Sequence, residues 1–96
     1  MTIERIDYDS AEGFRDRDAQ GDLLRDAVET GEATYIAHAL GIIARANGMT
    51  DVARDTGLKR QQLYVALSEK GNPTLSTMLK VLDALGLKMT IAPKAA

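Results

Sequence analysis

The spacing of apolar residues divides the chain into five helical stretches and a tail. Leu23, Leu24, Ala27 and Val28 recur at helical intervals after Asp18 and Gly31 follows, which predicts a first helix over about 18–30 with a glycine stop. Tyr35, Ile36, Ala39, Leu40, Ile43 and Ala44 fall on one stripe, which predicts a second helix from about Glu32 to Asn47, closed by Asn47-Gly48. Thr50 is suited to cap a third helix, with Asp51 favourably placed in its first turn, and Gly57 ends it after barely two turns. Leu58, Leu63, Ala66 and Leu67 mark the buried side of a fourth helix over 59–67. A polar loop, SEKGNP, spans 68–73, where Pro73 bars the preceding residue from helical geometry. Thr74 or Ser76 then caps a fifth helix, in which Leu75, Met78, Leu79, Leu82 and Leu85 repeat at three- and four-residue steps up to Gly86.

Beyond Gly86 the period changes. Leu87, Met89 and Ile91 alternate with Lys88 and Thr90, which predicts a strand over 87–92. A lone strand leaves its backbone groups unpaired, so its simplest partner is the same strand of a second copy, joined through Leu87, Met89 and Ile91. Residues 1–17 are polar, contain Gly13 and show no sustained helical period, and they read as a flexible acidic arm ahead of a single domain over 18–96. The expected architecture is all-α, five helices with a C-terminal β-strand pairing across a homodimer.

Composition narrows the chemistry. With 45% hydrophobic residues in 96, the chain supports one modest core. It has no cysteine, which excludes disulfides, thiolate metal sites and a cysteine nucleophile. Charges interrupt every apolar stretch of MTIERIDYDSAEGF, so neither a secretory signal nor a membrane span is expected there, and the cytoplasm is the default location. His38 has no second ligand in its neighbourhood, and Ser10, Ser68 and Ser76 lack an adjacent base, so neither a metal site nor an enzyme is expected. The glycines act as helix stops and form no phosphate-cradling loop, leaving no cofactor to predict.

The net charge of −2 hides an asymmetry. Residues 1–40 carry four basic side chains against ten acidic ones, whereas residues 41–96 carry eight against four. Such sorting suggests an acidic surface and a basic one with different partners.

The basic half contains the informative span, MTDVARDTGLKRQQLYVALS over 49–68. Two helices joined by a tight turn need a small residue in the first and a sharp bend between them, which Ala53 and Gly57 provide. Val52, Leu58 and Leu63 would hold the pair together, while Lys59, Arg60, Gln61, Tyr64 and Val65 occupy the other face. A helix fits the major groove, where arginine bonds guanine O6 and N7 and glutamine bonds adenine N6 and N7. Arg60 and Gln61 are therefore the expected base readers.

These residues resemble the helix-turn-helix of the Cro/CI-like (Xre) repressors. The resemblance runs over Met49–Leu85 through A-x-x-x-G at Ala53 and Gly57, then GLKRQQLY, the GNP loop and TLSTMLKVLDALGL. It implies a lambda-repressor-like fold in which Lys59, Arg60, Gln61, Tyr64 and Val65 meet bases and Thr50 meets phosphate, with Ser68 at the end of the same DNA-binding set. The chain departs from that pattern at Thr56, where an apolar residue is usual, and at Lys59, where a capping Ser or Thr is usual. With the flanks included, the acidic leader, LYxALSxxGNP and the final alternating stretch are similar to HigA-like addiction-module antidote proteins. That likeness implies an antitoxin that binds double-stranded operator DNA, represses its own operon and silences a small basic toxin of the RelE/ParE type. A free-standing or prophage repressor without a toxin, and a helical adaptor that does not bind DNA, are the alternatives; the acidic leader favours the antitoxin over the first.

Overall fold

Gly48 and Gly57 stand at helix ends and Thr74 at a helix start, so glycine and threonine punctuate part of the chain. The computed structural model describes residues 17–95, which form five helices: α1 (Arg17–Glu29), α2 (Ala33–Asn47), α3 (Met49–Thr56), α4 (Arg60–Ala66) and α5 (Leu75–Ala84). The expected arm at 1–17 lies outside the described residues except for Arg17, which opens α1.

Helix α3 is the hub, packed against α2, α4 and α5, while α1 lies against α2. The core joins Leu40, Ile43 and Ala44 of α2, Met49 and Val52 of α3, Leu63 of α4, and Leu67, Val81, Leu82 and Leu85, with Leu58 and Leu87 partly buried around it. Gly41 is buried where α2 meets the end of α4; a Cβ there would overlap the Leu67 carbonyl oxygen. The missing side chain is what lets the two helices approach so closely.

The ends of the helices correct the reading of one cap and decide between two candidates for another. Thr50 does not cap α3: the helix starts one residue earlier, behind Gly48 at φ 101°, and Thr50 is exposed in its first turn. The positive φ of Gly48 closes α2 and opens α3 in a single residue, which leaves no separate capping position for Thr50. Thr74 caps α5, its Oγ1 accepting a hydrogen bond from the Thr77 N–H at 3.1 Å.

The apolar stripes are less completely buried than their spacing suggests. Tyr35 and Val28 stand in solvent, 57% and 56% exposed, because α1 covers α2 along Ala27, Leu23 and Leu24 and not across its whole apolar arc. In α5 the core contact passes through Val81, Leu82 and Leu85, leaving Leu75 and Leu79 exposed. Val81, absent from the expected stripe, is fully buried.

The strand expected at 87–92 does not form in the single chain, where residues 87–95 carry neither helix nor strand. A strand needs another strand to take its hydrogen bonds, and no strand occurs among the described residues. Instead the Leu87 N–H donates to the Leu82 carbonyl at 2.9 Å and Leu87 packs on the core, while Met89 and Ile91 point outward.

The two glycines near α4 should respond differently to an added methyl group. Gly57 has a left-handed φ of 75° with open space around its would-be Cβ, so Gly57→Ala should cost about 1–2 kcal/mol through the backbone alone. Gly41→Ala forces a helix away from a backbone carbonyl, an overpacking cost of roughly 1–3 kcal/mol that should also loosen Leu67. Urea unfolding of the two variants, with amide exchange at Leu67, separates the effects: the Leu67 amide should lose protection relative to the core only in Gly41→Ala.

Candidate nucleic-acid interface

The site begins at the turn between α3 and α4. Gly57 adopts the left-handed conformation and its N–H bonds the Ala53 carbonyl at 2.9 Å, ending α3. Thr56, where the repressor pattern prefers an apolar residue, works as a polar clasp. Its Oγ1 donates to the Val52 carbonyl at 2.7 Å, approaches the Ala53 carbonyl at 3.2 Å, and accepts from the Leu58 N–H at 3.2 Å. One hydroxyl thus ties the last turn of α3 to the first residue after the bend. Lys59 precedes α4 with extended backbone and no side-chain cap, and its carbonyl accepts the Leu63 N–H at 3.0 Å.

Within α4, Leu63 is fully buried, and Leu67 follows it into the core. A helix of seven residues has one side to spare for the core, so the rest of it faces out. Lys59, Arg60, Gln61, Gln62, Tyr64 and Val65 are all exposed. The Arg60 guanidinium lies 5.8 Å from the centroid of the Tyr64 ring, one helical turn away, within range of a cation–π contact. Gln61 and Val65 share a shallow hollow with Gln62, Lys70, Gly71 and Asn72.

The expected site residues are therefore only partly gathered. Lys59, Arg60, Gln61, Tyr64 and Val65 form one exposed edge. Ser68 follows that edge but turns back on its own helix, its hydroxyl donating to the Val65 carbonyl at 2.9 Å. Thr50 is exposed on α3, at the N-terminal end of the neighbouring helix. Gln62, Lys70 and Asn72 were not anticipated. Gln62 was hidden in a motif read for Arg60 and Gln61, and Lys70 and Asn72 in a stretch whose polarity said only loop. The cue is Gly71, buried with its Cα against the Ala66 carbonyl, which draws the loop back onto α4.

Charge on this edge is not uniform. Arg54 is held by Asp55 at 3.2 Å and Asp51 at 3.1 Å, and its pKa is raised by the hydrogen bond and charge of Asp55 first and by Asp51 next. Its charge is thereby balanced locally. Lys59, Arg60 and Lys70 have no carboxylate within ion-pair distance among the described residues, and they carry the positive potential of the edge. No group of three or more His, Cys, Asp or Glu among the described residues could hold a metal ion, and no described helix is long and apolar enough to cross a membrane.

The fold and this edge define a small all-helical protein that presents a polar, cation-bearing helix face to its surroundings. The chain belongs to the family described as "Probable addiction module antidote protein", whose model matches residues 4–93. A curated relative from Haemophilus influenzae, described as an uncharacterized protein, is 40% identical over 91 residues, which cover 95% of this chain and 94% of that protein. No solved structure matches the chain significantly.

Thr56→Val keeps the shape of the turn residue and removes all three hydroxyl contacts. It should lower stability by about 1–2 kcal/mol in urea unfolding, leaving the Leu58 N–H without its partner, whereas Thr56→Ser should stay close to the parent. Equal stability of the valine and serine forms would remove Thr56 from the account of the turn.

Proposed function

We propose that this chain is the antitoxin of a type II toxin–antitoxin module, a HigA-like member of the Xre helix-turn-helix proteins that binds operator DNA and represses its own operon. Membership of the antidote family supports the antitoxin role. The DNA-binding part rests on one observation: Leu63 and Leu67 hold α4 to the core so that Arg60, Gln61, Tyr64 and Val65 stand clear of the domain.

In this reading α4 enters the major groove. Arg60 reads guanine and Gln61 reads adenine, each by paired hydrogen bonds, and Val65 offers an apolar contact of the kind a thymine methyl accepts. Lys59, Lys70 and the Tyr64 hydroxyl engage phosphate, which sets position and not sequence. Thr50 at the start of α3 and Ser68 at the end of α4 reach the backbone on either side. Glutamine and arginine are suited to bases because each presents two polar atoms in a fixed fork.

Dimerisation completes the reader. Two copies would meet through the exposed Leu75 and Leu79 of α5 or the exposed Met89 and Ile91 of the tail, the tails pairing as strands around Met89 and Ile91. Two α4 helices related by that axis address half-sites about 34 Å apart on a near-palindromic operator. The toxin partner is a small basic protein of the RelE/ParE type, held in the cytoplasm with its antidote.

The test uses duplex DNA from immediately upstream of the gene, with fluorescence anisotropy over a salt series. The parent should bind with an affinity that falls steeply with salt, since each neutralised phosphate releases counterions. The Arg60→Ala, Gln61→Ala double variant should lose about 1–3 kcal/mol of base discrimination for each bidentate contact removed. A double variant that binds like its parent, or an affinity indifferent to salt, overturns the DNA-binding reading.

A further inference from the structure

A second surface is built differently from the α4 edge. Between α1 and α2 runs an almost wholly apolar hollow whose walls include Leu23, Ala27, Ala39 and Ile42, with Asp26 at its rim. Tyr35 and His38 line it and also line an adjoining hollow that reaches Glu69, so the two form one trough. Asp26 and Glu69 are its charged side chains, and no Lys or Arg among the described residues lines either part. Tyr35 stands 57% exposed over this apolar ground, an aromatic ring of the kind that anchors protein interfaces.

We infer that this trough docks a basic protein, which inserts an apolar side chain beside Tyr35 and sets Lys or Arg against Asp26 and Glu69. The inference rests on the antitoxin reading and names the surface through which the antidote holds its toxin. Charge decides between the occupants. Helix α1 carries Asp18, Asp22, Asp26 and Glu29 against Arg17 and Arg25, and Arg25 is engaged by Asp22 at 2.6 Å. The leader of this same chain, residues 1–16, has five acidic side chains and two arginines, so it meets a surface of its own sign. A second copy docking here would bring one acidic α1 against another, and DNA would be repelled outright. A cationic partner alone gains from both the apolar walls and the carboxylates.

The experiment uses the full chain and the purified product of the reading frame adjacent to its gene, with binding followed by calorimetry at two salt concentrations. Asp26→Lys and Tyr35→Lys alter exposed positions, and a thermal melt checks that both variants remain folded. Each should weaken the complex by about tenfold or more, since opposed charges become like ones or an aromatic anchor is lost. The Arg60→Ala, Gln61→Ala variant should bind that product like the parent. If the parent binds and the two lysine variants bind equally well, the trough is not the docking surface although the antitoxin reading stands. If the parent does not bind the product at all, the antitoxin reading fails and takes the trough with it.

Discussion

Burial of Leu63 and Leu67 is the interaction on which the rest of this small fold depends. Helix α4 is seven residues long, far below the dozen or so at which an isolated helix begins to persist in water. It exists because two leucines, both with no exposed surface, are fixed beneath it, each contributing roughly 1.5–3 kcal/mol of transfer free energy. The same two anchors set its orientation. With positions 63 and 67 buried, residues 60, 61, 64 and 65 are exposed, because a helix this short has too few neighbours to cover them, and they make an open chemical edge.

What surrounds those anchors is arranged to keep them in place. Gly41 lets α2 come within backbone contact of the Leu67 carbonyl, and Gly71 draws the following loop against the Ala66 carbonyl. Thr56 and Gly57 close the bend from the other side. The short element is thus closely packed at its C-terminal end, by α2 and by the following loop, and joined to α3 through the turn at Thr56 and Gly57. Rigidity matters for a surface that must present several side chains in fixed register, because ordering them on binding would cost conformational entropy.

Much of this was legible in the sequence, and the parts that were not share a cause. Helical periodicity located all five helices to within a residue or two, since it registers a face that must be buried somewhere. It could not say how much of that face a small neighbour would cover. Tyr35, Val28, Leu75 and Leu79 sit on correct stripes yet remain exposed, because the five described helices do not cover every apolar arc. Thr50 was misjudged as a cap because a glycine with positive φ can end one helix and begin the next without a side chain, and no propensity scale registers that economy. Alternation in the tail suggested a strand that residues 87–95 do not form, because alternation sorts side chains between two sides and supplies no partner for the backbone. Lys70 and Asn72 were missed because a loop's place in space depends on contacts such as that of Gly71, far from anything periodic.

The exposed apolar residues are not evenly spread, and their placement bears on how so short a chain keeps its interactions apart. Tyr35 lies over the trough with carboxylates, Leu75 and Leu79 lie on α5, Met89 and Ile91 lie on the tail, and Val65 lies among the cations of α4. Apolar attraction has no sign and cannot by itself tell one partner from another. Electrostatics can, because a like-charged partner is repelled before contact is made. On the proposed reading, the carboxylates around the first patch and the cations around the last, which have no carboxylate partner among the described residues, each favour a partner of opposite charge. The apolar residues of α5 and the tail are those that the proposed homodimer would use. If the proposed partners are right, the sequence's division into an acidic front and a basic back serves specificity.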